Sequence, residues 1–188
     1  MMDTSTMKKR IEAIEGEFRR YQALAQATIR QLNDNQLSTP LSDGGNSIAM
    51  LVWHISGNLK SRFTDFLTTD GEKEWRDRDS EFIARSVTQT ELAQKWNEGW
   101  DVLYATLAQL DDEKLDLTVT VRGMPSSVNE ALLRGVAHTS YHVGQMVTIA
   151  REFRGAQWRW LSIPPGGSAE YNKNPKIEKG PPAVRRLE

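Results

Sequence analysis

The chain contains three histidines, and their positions favour a metal site. His138 and His142 are four residues apart in a stretch with helical periodicity, so both imidazoles leave the same face of that helix, one turn apart. His54 lies between Val52 and Ile55 in another amphipathic stretch, at the edge of its apolar stripe and pointing inward. Helical bundles build metal sites from such facing inward ligands. We therefore predict one divalent ion on the three histidines, with at least one coordination position open, as in catalytic sites.

Each part of this histidine pattern also has a plainer interpretation. A single inward histidine is usually a core residue with a satisfied hydrogen bond, and two histidines four apart on a surface helix arise by chance. Burial of three unliganded imidazoles in one core would be costly, however, and no histidine lies outside the pattern. The spacing therefore favours a metal.

A polar stripe follows His54 along its helix. Asn58 lies one turn beyond it, Arg62 two turns beyond, and Asp65 next. The stripe is either the wall of a pocket near the metal or an ordinary solvated flank. The guanidinium of Arg62 could bind a substrate carboxylate as a fork, or form an ion pair with Asp65 or Asp79.

The helix with two histidines carries further candidates for substrate contact. Tyr141 and Gln145 lie beside His142 and one turn beyond it. Either could hold a substrate group or orient a ligand ring, and polar packing in the core explains both equally well. Gly135 and Gly144 each cost a helix about 1 kcal/mol relative to alanine, which close approach of another helix or of a ligand would justify.

Composition excludes several other kinds of chemistry. The chain has no cysteine, which rules out disulfides, cysteine-ligated zinc, iron–sulfur clusters and a catalytic cysteine. Positions 139 and 140 are Thr and Ser, so the glutamate of a zinc-protease motif is missing. A formal net charge of −1 argues against nucleic-acid binding. No apolar run reaches the roughly 20 residues of a membrane span, and the start does not resemble a signal peptide, so we expect a cytoplasmic protein with no membrane partner.

Four amphipathic stretches must position these residues. Thr88 to Glu91 and Ser127 to Glu130 fit capping boxes, and Asn46 or Ser47 can cap the second stretch. The apolar stripes of the four stretches cover 7–32, 48–66, 92–110 and 132–153. The charged segment 71–87 is predicted to be an irregular connection, and 117–121 a short strand or hairpin.

These elements predict an all-α fold, a four-helix bundle with a short β-hairpin or strand before the last helix. We assign residues 1–155 to a four-helix metal-binding domain and 156–188 to an irregular proline-rich tail, which packs in part on the bundle through Trp158 and Trp160. Beyond about Asn174 we expect weak order.

Three segments resemble the DinB-like superfamily and, within it, one uncharacterised bacterial branch. They are LVWHISGNL at 51–59, HTSYHVGQ at 138–145, and the stretch 62–79 with its aromatic and charged residues. The resemblance spans roughly 7–155. It implies a DinB-like four-helix fold, a nickel or zinc site at His54, His138 and His142, and often a homodimer. The apolar and aromatic residues around Trp75, Trp158 and Trp160 would suit a shared face.

The resemblance leaves the reaction open. Some relatives are transferases or isomerases that use a low-molecular-weight thiol such as bacillithiol, mycothiol or glutathione, and others have no assigned reaction. Three functions therefore compete: a metal-dependent thiol S-transferase acting on a small molecule, a metal-dependent hydrolase, and a non-catalytic metal-binding stress protein. A hydrolase needs a general base, and Asp65 is the only carboxylate on the appropriate stripe. Fold and metal together do not decide among them.

Overall fold

The computed structural model of the protein describes residues 9–176 and 180–188. It is mostly α-helical, with one small antiparallel sheet, as predicted. The elements are α1 (Lys9–Ile29), α2 (Asp34–Ser38), α3 (Ile48–Phe63), α4 (Gln89–Leu107), β1 (Thr118–Val121), β2 (Met124–Ser127), α5 (Val128–Arg154) and α6 (Ser168–Tyr171). Three single 3₁₀ turns, at Asp79–Phe82, Lys114–Asp116 and Gly155–Gln157, complete the described chain.

The three helix starts predicted from capping residues are confirmed. Ser47, Thr88 and Ser127 each accept a hydrogen bond from the backbone N–H three residues later. At Thr88 and Ser127 the cap residue's own N–H donates to the side chain of Glu91 or Glu130, which completes the capping box. Ser47, and not Asn46, caps α3.

Three helices end earlier than their apolar stripes suggested. α1 stops at Ile29 and not at Leu32, because the chain turns into the separately capped α2. α3 stops at Phe63, since Asp65 adopts a φ of 48° that takes Phe66 out of the helix while leaving it buried. α4 reaches Leu107 and not Leu110. The predicted start of the first helix near position 7 lies outside the described residues.

The four long helices pack mainly as two pairs, α3 against α4 and α1 against α5. At the first contact a Cβ on Gly99 would lie 2.7 Å from the Cα of Ser56, so only glycine permits this approach. A Cβ on Gly135 would lie 3.2 Å from the Phe18 ring and 3.3 Å from the Phe63 ring, whereas nothing lies within 4 Å of a Cβ added to Gly144. Close approach of another part of the protein therefore explains Gly135 and does not explain Gly144.

The connection between α3 and α4 is bound to the hairpin. Arg122 and Gly123 form its two-residue turn with φ values of 57° and 71°. The carboxylate of Asp70 accepts bonds from both of their N–H groups, each at 2.8 Å, and from the N–H of Glu72. The N–H of Gly71 donates to Thr120 O at 2.8 Å. This network, the Asp70 latch, fixes the start of the connection.

The tail returns to the bundle at two places. Trp158 packs partly buried on the core, while Trp160 stays 45% exposed beneath Arg151. Near the end, Asn97 on α4 donates to Leu187 O and accepts from Leu187 N, and the leucine side chain is buried. The end of the chain thus contacts α4, and weak order beyond Asn174 stays a prediction; residues 177–179 lie outside the described residues.

None of the helices in the described ranges is both long and apolar enough to cross a bilayer.

Candidate metal centre

The three histidines meet where α3 faces α5. Their candidate ligand nitrogens all lie within 4.8 Å of one another, and the Nε2 atoms of His54 and His138 are 3.0 Å apart. His54 and His142 are buried and His138 is half-buried. Two nitrogens on one tetrahedral zinc, each bound at 2.0–2.1 Å, would be about 3.3 Å apart, which matches this spacing. The predicted convergence of the three side chains is thus confirmed.

Two of the three imidazoles are oriented through their Nδ1 atoms. His54 Nδ1 lies 2.8 Å from Glu81 Oε2, and His142 Nδ1 lies 2.8 Å from Gln145 Oε1. Because both partners are oxygen acceptors, each Nδ1 donates its proton there, which leaves Nε2 as the nitrogen that can bind a metal. This is how histidine ligands are held at metal centres, so the residues present fit a bound ion.

Glu81 is itself held by a buried fork. Arg76 Nε donates to Glu81 Oε1 at 2.8 Å and the Nη2 group donates to Oε2 at 2.9 Å, while Nη1 donates to Ser61 Oγ. The side chains of the pair are only 3% and 7% exposed. Burial would raise the pKa of Glu81, but hydrogen bonds from His54 and Arg76 outweigh it and hold that pKa below its usual range. The carboxylate therefore stays ionised and accepts a hydrogen bond from His54 Nδ1.

A glycine on α3 makes room for this carboxylate. A Cβ on Gly57 would lie 2.1 Å from Glu81 Oε1, which is a steric overlap. The 3₁₀ turn Asp79–Phe82 delivers Glu81 there and places the Phe82 ring 4.7 Å from that of His54. The connection thus completes the centre from outside the helices.

The remaining electrostatics favour the neutral form of His138 and His142. Burial, then the neighbouring His142 and His54, lower the pKa of His138 to about 3. Burial also lowers the pKa of His142, although its bond to Gln145 opposes the change. Neutral imidazoles are the form that binds a metal.

The histidines line one end of a cavity of about 830 Å³. Its walls come from α3, α5, the hairpin and the connection. The lining includes six apolar side chains, those of Phe63, Phe66, Phe82, Val121, Met124 and Pro125, and five arginines, Arg62, Arg76, Arg78, Arg122 and Arg134.

Residues 5–167 of the chain match the family model described as "Protein of unknown function (DUF1572)". The chain belongs to this family. A solved DinB-like protein from Bacillus cereus ATCC 10987 is similar, with a TM-score of 0.59 and 18% sequence identity over 75% of this chain and 91% of that chain. That likeness shows the DinB-like fold, as the sequence resemblance predicted. No curated protein matches the chain.

The four predicted substrate contacts of this DUF1572 protein, Asn58, Arg62, Tyr141 and Gln145, all line the cavity. Gln145 contacts the His142 ring directly, and Tyr141 is 64% exposed with its ring 4.8 Å from that of His142. Binding of substrate by any of the four stays a prediction.

The predicted ion pairs of Arg62 are wrong. Arg62 Nη1 lies 3.2 Å from Glu72 Oε2, a carboxylate of the connection, while Asp79 faces Arg78. Asp65, exposed beyond the end of α3, is not among the cavity residues and cannot act as its general base.

Sequence reasoning about the DUF1572 chain missed Glu81 and Arg76. Both lie in a segment without periodicity, where a dense set of charges looks like solvated surface. A signal was present in Gly57, a mid-helix glycine one turn from His54, because such a glycine needs a steric reason.

Proposed function

We propose that His54, His138 and His142 bind one divalent ion, nickel or zinc, and that this centre serves an enzyme acting on a small molecule. The observation that carries the proposal is the position of three converging imidazoles in the wall of an 830 Å³ cavity. A purely structural site is closed by four protein ligands and needs no such space. Three imidazoles beside open space suit an exchangeable ligand.

We infer that the reaction is a thiol transfer. A divalent ion lowers the pKa of a coordinated thiol and holds it as the nucleophilic thiolate. The thiol must come from a cosubstrate, since the chain has no cysteine. Glu81 and Gln145 would keep the His54 and His142 rings turned toward the cavity, and its apolar wall would exclude water from the reacting groups.

Hydrolysis is the second candidate, and the carboxylates near the cavity disfavour it. In the described part of the chain, Glu130 is the only carboxylate that lines the cavity. Its Oε2 accepts from the N–H and hydroxyl of Ser127 at the start of α5. Glu130 itself lies about 18 Å along the helix from His142 by the helical rise. Glu81 is occupied by Arg76 and His54. Neither is free to take a proton from an attacking water.

Metal analysis of the purified protein, with a thermal-shift screen against glutathione, bacillithiol and mycothiol, tests the proposal. We expect one ion per chain and stabilisation by one thiol, which at 100 times its dissociation constant adds about 2.7 kcal/mol. Thiol-dependent turnover of an electrophile would support transfer. Thiol-independent ester cleavage would support the hydrolase, and unfolding on chelation without any activity would support a non-catalytic role.

A further inference from the structure

The cavity lining is strongly positive. Five arginines face one carboxylate, that of Glu130. Three other carboxylates, those of Glu72, Asp79 and Glu81, contact these arginines from outside the lining. The question is which guanidinium groups stay available to a ligand.

Two of the arginines share one partner. Arg62 and Arg122 both bind Glu72 Oε2, at 3.2 and 2.9 Å, so one carboxylate serves two cations. Burial, and then repulsion from Arg76, lower the pKa of Arg62 against the attraction of Glu72. By contrast, Arg76 is fully used by Glu81 and Ser61.

Arg134 is the free cation of the set. Among residues 9–176 and 180–188 it has no hydrogen bond or ion pair, and its side chain is exposed to the cavity. Glu130 precedes it by one turn but is committed to capping α5. Arg78 Nη1 lies 3.6 Å from Asp79 Oδ1, and the Asp79 side chain is 97% exposed, so this ion pair is weak.

Arg134 and Arg62 lie at matching depths. Arg134 precedes His142 by eight residues on α5, and Arg62 follows His54 by eight on α3, so each lies about 12 Å along its helix from a histidine. Phe63, next to Arg62 on α3, packs against Gly135, next to Arg134 on α5. The two arginines therefore lie at the same height on neighbouring helices. The apolar residues Phe63, Phe66 and Val121 line the cavity at this same end.

We propose that Arg134, together with Arg62 and Arg122, binds the carboxylate or phosphate group of an organic anion whose apolar part lies against Phe63 and Phe66. The anionic group would lie about 12 Å from the histidines, so only an extended ligand could also reach them. The further idea that its other end reaches the metal rests on the proposed function. A dication on three neutral imidazoles would add two more positive charges, which favours an anionic ligand further.

Binding of hexanoate and hexyl phosphate to the purified protein, with hexanamide as the uncharged probe, tests the proposal by titration calorimetry at low salt. We expect the two anions to bind at least tenfold more tightly than hexanamide, and the tighter of them identifies the head group. Arg134→Gln should weaken anion binding about tenfold or more, because it removes a charge-assisted fork. Arg159→Gln, the same change at an exposed arginine outside the cavity, should leave it within twofold.

Anion affinity unchanged in Arg134→Gln, or reduced equally in the Arg159 control, would overturn the anion site, as would equal binding of hexanamide. Metal content of the same samples keeps the two proposals apart. A protein that holds no metal yet loses anion binding with Arg134→Gln contradicts the proposed function and supports the anion site. A protein with one ion per chain and no anion binding supports the metal site and contradicts the anion site.

Discussion

Each imidazole of the centre has a distinct environment. His54 is held by a buried carboxylate, His142 by an amide, and His138 by neither, its Nε2 lying against that of His54. A metal on three such nitrogens replaces the close contact between two rings with two coordinate bonds. All three histidines are therefore needed for tight binding.

Replacing any one of the three histidines by alanine should remove the metal during dialysis, because two imidazoles alone bind weakly. Metal-to-protein ratios by mass spectrometry measure this. Tyr141→Phe is the control, since its exposed ring touches His142 without offering a ligand at the centre, and it should retain the ion. A histidine variant with full stoichiometry and unchanged affinity would show that its residue is not a ligand.

Glu81→Gln should weaken metal affinity by about 10- to 100-fold, because the amide is a poorer acceptor for the His54 Nδ1 proton. It should also destabilise the fold by about 3–5 kcal/mol, since Arg76 keeps a buried charge without its counter-ion. Competition with a chromogenic chelator and urea unfolding measure the two effects. Glu98→Gln removes an exposed carboxylate that pairs with Lys60 and Lys95, and should cost at most about 1 kcal/mol with no change in metal affinity. Equal effects of the two variants would contradict the orienting role of Glu81.

At the scale of elements, helix periodicity and capping boxes were enough to predict the four long helices and the histidine convergence. Periodicity and capping boxes are local signals, because each is contained in the sequence of the helix that it predicts. The helix ends depended on tertiary features instead, such as the positive φ at Asp65. The Glu81–Arg76 fork was hidden because aperiodic charges do not reveal their partners. Arg134 could have been found, since it lies at the same four-residue spacing as His138 and His142.

Gly57→Ala tests whether the absence of a side chain at this position of α3 makes room for Glu81. Alanine favours a helix by about 1 kcal/mol over glycine, but here its Cβ would overlap Glu81 Oε1. We expect lower thermal stability and weaker metal binding. Gly144→Ala, on an exposed face with nothing within 4 Å, should raise stability by up to about 1 kcal/mol and leave the metal untouched. Stabilisation by both variants would mean that Glu81 is not confined by α3.

The Asp70 latch should make stability depend on pH in acid. Backbone N–H groups of Glu72 and Gly123 hold the pKa of Asp70 well below its ordinary value of 3.8. A lowered folded-state pKa adds stability that is present above 3.8 and is lost as pH falls below it, because the unfolded chain binds the proton more readily. Urea midpoints of Asp70→Asn and wild type should therefore differ at pH 7 and converge toward pH 2. Asp43→Asn, at an exposed residue without hydrogen bonds to the described chain, should show no such difference. A constant gap for Asp70→Asn would contradict the latch.

For the whole molecule, the expected homodimer stays a prediction. Trp75 is 58% exposed and Trp160 45% exposed, more aromatic surface than an isolated chain normally leaves in water. Light scattering at micromolar concentration should give about twice 21.3 kDa. Replacing both tryptophans by serine should then shift the mass toward one chain. A mass of one chain for the wild type would contradict the prediction.

The centre spans the seam between the two helix pairs, since His54 belongs to α3 and the other two histidines to α5. His138 and His142 come together as soon as their own helix forms, but His54 is 84 residues from His138 in sequence. Closing so long a loop is slow compared with forming one helical turn. In a refolding chain, a change from two to three imidazoles around cobalt, followed by its visible spectrum, would therefore time the docking of one helix pair on the other.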